Sequence, residues 1–170
     1  MKRLEGARWL LKVAGQAWQA RVAAMANDTM RKFGFPDTLI REFEHWAVLL
    51  RPSQVTLGSL VLAAKSEATA FGSLPPGAHA ELAPITAHIE DLLSGAIGYD
   101  RINYLMLMMV DPHVHFHVFP RYEGSRSFET VSIEDVGWPG PPELKSGQDI
   151  GAPIFERLRL QLSENWPINY

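Results

Sequence analysis

Three histidines alternate with apolar residues in one short run of the sequence, His113-Val114-His115-Phe116-His117-Val118. Successive side chains of a β-strand point to opposite faces, so an extended chain places all three imidazoles on one face. The apolar residues between them then occupy the other, buried face. Imidazole is costly to bury without partners, and a core strand has no reason to collect three of the chain's six histidines. The run therefore predicts a strand with a chemically active face.

Length, charge and composition narrow the kinds of ligand that this face could serve. A chain of 170 residues with 46% hydrophobic and 21% charged residues is typical of one compact domain with a packed core. The formal net charge is -3 and there is no long block of Lys or Arg, which argues against nucleic-acid and membrane-surface partners. Cysteine is absent, so disulfides, thiolate nucleophiles and cysteine zinc sites are excluded. A small ligand is expected.

The start of the chain carries no apolar signal core, and no stretch approaches the roughly 20 apolar residues that cross a bilayer. A cytoplasmic location is the default expectation. Apolar residues at three- and four-residue steps instead predict an amphipathic helix over roughly the first 25 residues. This helix packs on its own domain or forms a dimer seam.

Hydrophobic patterns also predict the elements around the histidine run. Segments 45–51 and 57–63 indicate an antiparallel hairpin, and a long helix is expected from about 78 to 96. A buried strand over 101–109 and a turn at Asp111-Pro112 then lead into the histidines. After Arg121 the hydrophobic pattern becomes irregular. The order of these elements favours an α+β domain with an antiparallel sheet.

Near the C-terminus, residues 137–142 are too rich in Pro and Gly for regular structure and predict a loop, anchored by Trp138. Ile154, Leu158 and Leu160 indicate a short C-terminal helix. His45, His79 and His88 are isolated, which is typical of surface or helix-face histidines.

The segment from Asp111 to Tyr122 resembles the signature of the histidine triad family: His-x-His-x-His, then apolar residues, often with Pro-Arg, here Pro120-Arg121. The element order over residues 45–122 is also similar. The resemblance implies one domain over 1–170, with about five antiparallel strands and a long helix in a core at about 40–125. A helical extension would lie at 1–35, and a Pro-rich loop and helix at 126–170.

The family resemblance also implies an activity. Histidine triad enzymes hydrolyse or transfer at the α-phosphate of nucleotides, such as dinucleoside polyphosphates or nucleoside phosphoramidates, through a covalent nucleotidyl-histidine. By position in the motif, His115 is the nucleophile, and His113 and His117 flank the phosphate. A neutral imidazole attacks without first losing a proton. The scheme requires no metal or other cofactor, and family analogy makes the protein a homodimer.

Three further residues are candidates for substrate binding by this resemblance: Asn103, Ser59 and Arg121. Asn103 stands where a family asparagine approaches the phosphate, and an amide satisfied by backbone is the alternative. Arg121 pairs with a phosphate or is a solvated charge at the strand end. Ser59 donates to a phosphate oxygen or is bonded locally.

The chain also departs from the family pattern. Ser59 stands where many members have a fourth histidine, and Arg51 falls near a polar or acidic residue that contacts the ribose in some members. Met108, Met109 and Val110 replace a polar loop before the triad, which looks shortened to the Asp111-Pro112 turn. Losing one donor to a developing charge costs about 10²- to 10³-fold in rate.

Three other functions therefore stay open. The first is a nucleotide-binding or regulatory protein with weak turnover. The second is a zinc site built from two of the histidines with Asp111 or Glu123, because the outer two histidines of a flat strand are about 13 Å apart and cannot share one ion. The third is a scaffold role for the terminal extensions.

Overall fold

The computed structural model describes residues 26–167, so the helix predicted over the first 25 residues lies outside the described part. The helices are α1 (Asp28–Lys32), α2 (Pro76–Ile97) and α3 (Ala152–Glu164), with short 3₁₀ helices at Phe71–Ser73 and Leu144–Ser146. The strands are β1 (Leu39–Glu42), β2 (Trp46–Leu50), β3 (Leu60–Ala64), β4 (Arg101–Leu105), β5 (His115–Arg121), β6 (Ser125–Phe128) and β7 (Val131–Glu134).

Five strands form one antiparallel sheet in the order β1-β2-β3-β5-β4. The strand that carries the histidines therefore has a neighbour on each side, while β1 and β4 are the edges. Strands β6 and β7 form a separate hairpin. This architecture confirms the predicted α+β class, the sheet of about five strands and the C-terminal helix.

The long helix α2 confirms the helix predicted at 78–96, and its ends follow local rules. Pro76 occupies the first turn, where the missing N–H costs nothing. Gly98 ends the helix in the left-handed conformation with φ 68°, and its N–H donates to the carbonyls of Leu93 and Ser94. Ile85 and Ile89 are buried against the sheet side of the core.

Both faces of the sheet are covered, which explains why β2 and β3 are buried at every position. One face packs against α2 and α3 around Trp46, Val48 and Leu62. The other face carries alternate residues of the same strands and packs against α1 and the residues after it; this second cluster comprises Ala26, Met30, Phe33, Phe35, Ala47, Leu49, Val61 and Ala63. The histidines of β5 belong to the second face, because His115 pairs with Ala63 and His117 with Val61.

Several predicted boundaries were wrong. The strand predicted at 57–63 begins at Leu60, because residues 54–59 form a hydrogen-bonded turn in which the Gln54 side chain accepts from the N–H groups of Gly58 and Ser59. The strand predicted at 101–109 ends at Leu105. Residues 106–114 then form an irregular connection, so the loop before the triad is not shortened to Asp111-Pro112.

Three strands were not predicted from the sequence: β1, and the strands β6 and β7, which form a hairpin in the region after Arg121 where no regular hydrophobic pattern is present. Both hairpin strands are four residues long and largely polar, with Ile133 as their one fully buried residue. Short polar strands lack the alternation on which sequence prediction rests. None of the described helices has both the length and the apolar character needed to cross a membrane.

Candidate active site

The histidine run lies at the centre of the sheet, but the strand begins two residues later than predicted. His115 and His117 are residues of β5, with their side chains on the face that α1 covers, whereas His113 precedes the strand. The ring centroids of His115 and His117 are 4.9 Å apart in an edge-to-face arrangement. The sequence therefore predicted correctly that these two imidazoles would share one face.

Hydrogen bonds define the tautomers of these two rings. His115 Nδ1 lies 2.7 Å from the carbonyl oxygen of His113, and a carbonyl only accepts, so Nδ1 carries the proton and donates it. His115 Nε2 is then left with its lone pair. His117 Nε2 lies 3.2 Å from that atom and must be the donor of the pair. The arrangement prepares His115 Nε2 as a nucleophile with His117 Nε2–H beside it.

His113 is held from two sides by residues that the sequence did not reveal. Its backbone N–H donates to Thr29 Oγ1 at 3.3 Å, and the Thr29 hydroxyl lies 3.0 Å from Nδ1, to which it donates. Nε2 lies 2.9 Å from a carboxylate oxygen of Glu67, which can only accept, so Nε2 carries a proton and donates it. Thr29 is 84 positions away in sequence, so no local pattern could have indicated the contact.

The triad is covered in this structure. His115 has no exposed surface, and His113 and His117 are buried as well. Phe33, just after α1, packs its ring against both His115 and His117, with centroid distances of 5.6 and 5.4 Å. An ion pair of 2.5 Å between Lys32 and Asp111 joins the same segment to the loop before the triad. A ligand reaches His115 only after this cover moves.

Burial also changes the proton affinity of the site. Loss of hydration, with smaller contributions from His115 and the Arg51 guanidinium, lowers the pKa of His117 to about 4. Asp111 opposes this shift, and Lys32 adds slightly to it. His117 is therefore neutral at pH 7 and acts as a hydrogen-bond donor through Nε2, not as a cation.

The lowered pKa predicts a pH dependence of stability. The folded state disfavours protonation of His117, so its contribution is complete above the unfolded pKa of about 6.5 and is lost as the pH falls toward 4. We expect the free energy of unfolding to fall by about 1 to 3 kcal/mol more in the wild type than in His117→Gln between pH 7 and 4. Urea titrations across this range measure it. Parallel pH profiles for the two proteins would contradict the assignment.

The three predicted substrate-binding residues are all engaged with other protein groups. The Ser59 hydroxyl donates to the carbonyl of Thr56 at 2.6 Å, which is the local bonding given as its alternative. Asn103 donates to the backbone carbonyl of Ile102 and accepts from Arg121. Their predicted contact with a phosphate stays a prediction.

Arg121 is not a solvated charge at the strand end, so that alternative was wrong. Its side chain is 3% exposed and forms a two-pronged ion pair with Asp135 at 2.6 and 3.0 Å. A further N–H donates to the carbonyl of Gly140 at 2.9 Å. Arg121 thus holds the Pro- and Gly-rich loop against the domain. The sequence suggested Trp138 as the anchor of this loop, and Trp138 is half-buried.

The loop before the triad offers no polar side chain over residues 106–110, which read Met-Leu-Met-Met-Val. Its tip is exposed, with Met109 at 89% and Val110 at 83%. Within residues 26–167, no group of three or more histidine and carboxylate side chains is arranged to hold a metal ion. The described residues thus give no three-ligand cluster for the zinc alternative.

Comparison with known proteins bears on the fold. No protein-family model matches the chain, and no curated protein sequence matches it. A histidine triad protein from Sinorhizobium meliloti is similar in structure with a TM-score of 0.65 at 20% identity, covering 82% of this chain and 94% of that one. A histidine triad protein from Bradyrhizobium japonicum is similar with a TM-score of 0.63 at 16% identity, covering 82% of this chain and 96% of that one. A hypothetical histidine triad nucleotide-binding protein from Sulfolobus tokodaii is similar with a TM-score of 0.59 at 20% identity, covering 75% of this chain and 81% of that one. The chain has the fold of the histidine triad proteins.

Proposed function

We propose that this protein is a hydrolase or transferase that acts at the α-phosphate of a nucleotide through a covalent nucleotidyl-His115 intermediate. The observation that carries the proposal is the hydrogen bond from His115 Nδ1 to the carbonyl of His113 at 2.7 Å. This bond fixes the tautomer in which Nε2 has a free lone pair for attack on phosphorus. The fold and the similarity to a protein described as nucleotide-binding support the substrate class.

In the proposed reaction, His115 Nε2 bonds to phosphorus as the bond to the leaving group breaks, and water or another acceptor then displaces the histidine. In the structure, His117 Nε2–H donates a hydrogen bond to His115 Nε2 at 3.2 Å. With substrate bound, it would donate to a phosphate oxygen instead. Its low pKa keeps it neutral, so it stabilises charge by hydrogen bonding. Thr29 and Glu67 orient His113 at the other side of the phosphate.

The reaction requires the cover over the triad to open, because Phe33 occupies the space in front of both rings.

A second candidate function follows from the same cover and from the apolar loop at 106–110: a nucleotide-binding protein with weak turnover. The loop supplies no side-chain donor to a phosphate, and each missing donor slows the reaction by about 10²- to 10³-fold. This candidate predicts nucleotide binding without product formation.

A screen of nucleotides separates the two functions. Adenosine phosphoramidates, adenylylated compounds and dinucleoside polyphosphates are incubated with the protein, and both AMP release and nucleotide binding are measured. Release of AMP from at least one class at a rate proportional to enzyme supports the proposed reaction. Binding of these compounds with no AMP release at stoichiometric protein would establish the second candidate instead.

The role of Phe33 as a cover gives a separate prediction. Phe33→Ala is expected to raise the rate at which diethyl pyrocarbonate modifies His115 by at least about tenfold, because the open form of a covered site is a minor state. Phe35→Ala is the matched control, since Phe35 lies in the same buried cluster and, in the described structure, makes no ring contact with the histidines. Peptide mapping of modified protein measures the rates. Equal rates in the two variants would show that Phe33 is not the cover.

The homodimer is proposed together with the reaction. Edge strand β1 is occupied by α3, because Arg159 donates to the carbonyl of Leu39 and Ser163 to that of Ile40. Within the described residues, no further strand pairs with β4 on its outer side. An open edge accepts a second strand readily, so β4 is where a second copy would add. The molar mass in solution tests this assembly.

A further inference from the structure

Arg51 directly follows β2 and lies on the same face of the sheet as His117. It is two residues beyond Leu49, which is in register with Val61 and His117. Its backbone N–H donates to the carbonyl of Ser59, which extends the pairing of β2 with β3 by one position. The guanidinium carbon lies 6.0 Å from the ring centroid of Phe119. The ring of His117 stacks on the same phenyl ring at 6.1 Å with an interplanar angle of 8°. The Arg51 guanidinium and the ring of His117 thus lie against the same phenyl ring.

Among residues 26–167, no carboxylate forms an ion pair with Arg51. Seven of the cationic Lys and Arg side chains in residues 26–167 form ion pairs with carboxylates: Arg31, Lys32, Lys65, Arg121, Arg126, Arg157 and Arg159. The other cations of this part are Arg41, Arg51, Arg101 and Lys145, and all of these except Arg51 are exposed. A partly buried cation is costly to desolvate unless a partner compensates for the lost water.

The hydrogen-bonding groups of Arg51 are also incompletely used. One terminal N–H donates to the carbonyl of Ser53, while the buried Nε has no acceptor within the described structure. Burial lowers the pKa of Arg51, as expected for a guanidinium without an anion beside it. A guanidinium with unused donors matches the oxygens of a phosphate or carboxylate, which accept two parallel N–H bonds.

We propose that Arg51 binds a second anionic group of the substrate, so that the preferred substrate is a nucleotide that carries another phosphate besides the one that reacts at His115. This inference rests on the proposed nucleotide function of the triad. The guanidinium carbon and the His117 ring centroid lie 6.0 and 6.1 Å from the same Phe119 centroid, so they are at most about 12 Å apart, a distance that one nucleotide can span. The second phosphate belongs either to the ribose or to the leaving group.

Binding measurements with ligands that the proposed reaction cannot cleave test the inference independently of turnover. The ligands are AMP, adenosine 3′,5′-bisphosphate for a phosphate on the ribose, and α,β-methylene-ADP for a phosphate in the leaving group. We expect wild type to bind one of the two bisphosphorylated ligands at least about tenfold more tightly than AMP, because a charge-assisted hydrogen bond contributes more than the 1.4 kcal/mol that a tenfold change needs. The ligand that gains identifies the position of the second phosphate.

Variants assign the preference to Arg51. Arg51→Gln is expected to bind that ligand no better than AMP, while Arg51→Lys keeps part of the preference because it keeps the charge without the paired donors. Arg101→Gln is the matched control: Arg101 is exposed and the variant loses the same charge, so it should keep the wild-type preference. Thermal unfolding of each variant shows whether it is folded.

The outcomes separate this inference from the proposed function. Equal affinities of wild type for all three ligands, or an equal loss of preference in Arg51→Gln and Arg101→Gln, would overturn the role of Arg51 even if the enzyme turns over. A preference that depends on Arg51 without any turnover supports this role and overturns the hydrolase proposal. Absence of binding to all three ligands overturns the role of Arg51, while AMP release in the nucleotide screen decides the hydrolase proposal.

Discussion

Replacing His115 by Ala is expected to lower kcat/KM by about 10⁴-fold or more, because the variant has no atom that can form the covalent intermediate. The neighbouring groups cannot take over the attack. His117 Nε2 carries the proton that it donates to His115, and its unprotonated Nδ1 is buried without a partner in the described structure. His113 has one nitrogen bonded to Thr29 and the other to Glu67.

The measurement is kcat/KM for the substrate that the nucleotide screen identifies. His79→Ala is the matched control, because His79 is an exposed histidine of α2 that packs on Phe71, on a different part of the surface. It should retain wild-type activity. His115→Ala must also keep a cooperative thermal unfolding transition. Activity of His115→Ala within tenfold of wild type would remove His115 from the role of nucleophile.

The second large effect concerns stability. Asp135→Asn is expected to lower the free energy of unfolding by about 3 to 5 kcal/mol, because it leaves the guanidinium of Arg121 buried without its counter-charge. Asp135 is 5% exposed and, in addition to the ion pair, its carboxylate accepts from the backbone N–H of Tyr122. Arg121 also bonds to Asn103 and to Gly140, so loss of the pair would loosen the loop at 137–142.

Denaturant titrations of wild type and variant measure this effect. Glu129→Gln is a suitable control, since Glu129 forms a comparable two-pronged ion pair with Arg157 at the surface, where water solvates both partners. Its midpoint should stay near that of wild type. If Asp135→Asn and Glu129→Gln unfold at similar denaturant concentrations, the buried pair is not a main support of this part of the fold.

The elements with a strong hydrophobic pattern could be predicted from the sequence. Helix α2 has a buried face that repeats at the helical period, whereas β2 and β3 are short apolar runs that are buried on both faces, and the histidine strand was indicated by the alternation of its histidines with apolar residues. Strand β4 was predicted too long, because the apolar residues at 106–109 continue its pattern although the backbone leaves the sheet after Leu105. Apolar composition alone does not distinguish a strand from an apolar loop.

The environment of the triad could be predicted only in part. The alternation of His115 and His117 is a local property of a strand, and it placed both rings on one face. Phe33, Thr29 and Glu67 reach the histidines from distant parts of the chain, and the partner of Arg121 is Asp135, in the turn after a hairpin that was not predicted. Contacts between distant segments depend on the packed fold, which no periodicity encodes.

The proposed reaction requires His115 to become covalently attached to a nucleotide, and the intact mass of the protein reveals such an adduct. Wild type and His115→Ala are mixed with an adenylylated substrate, quenched in alkali, which preserves a bond between phosphorus and imidazole nitrogen, and examined by mass spectrometry. Wild type is predicted to gain the mass of one adenylyl group, with fragmentation placing it on His115, and His115→Ala to gain none. An adduct on another residue, or AMP release at catalytic rates by His115→Ala, would contradict the account.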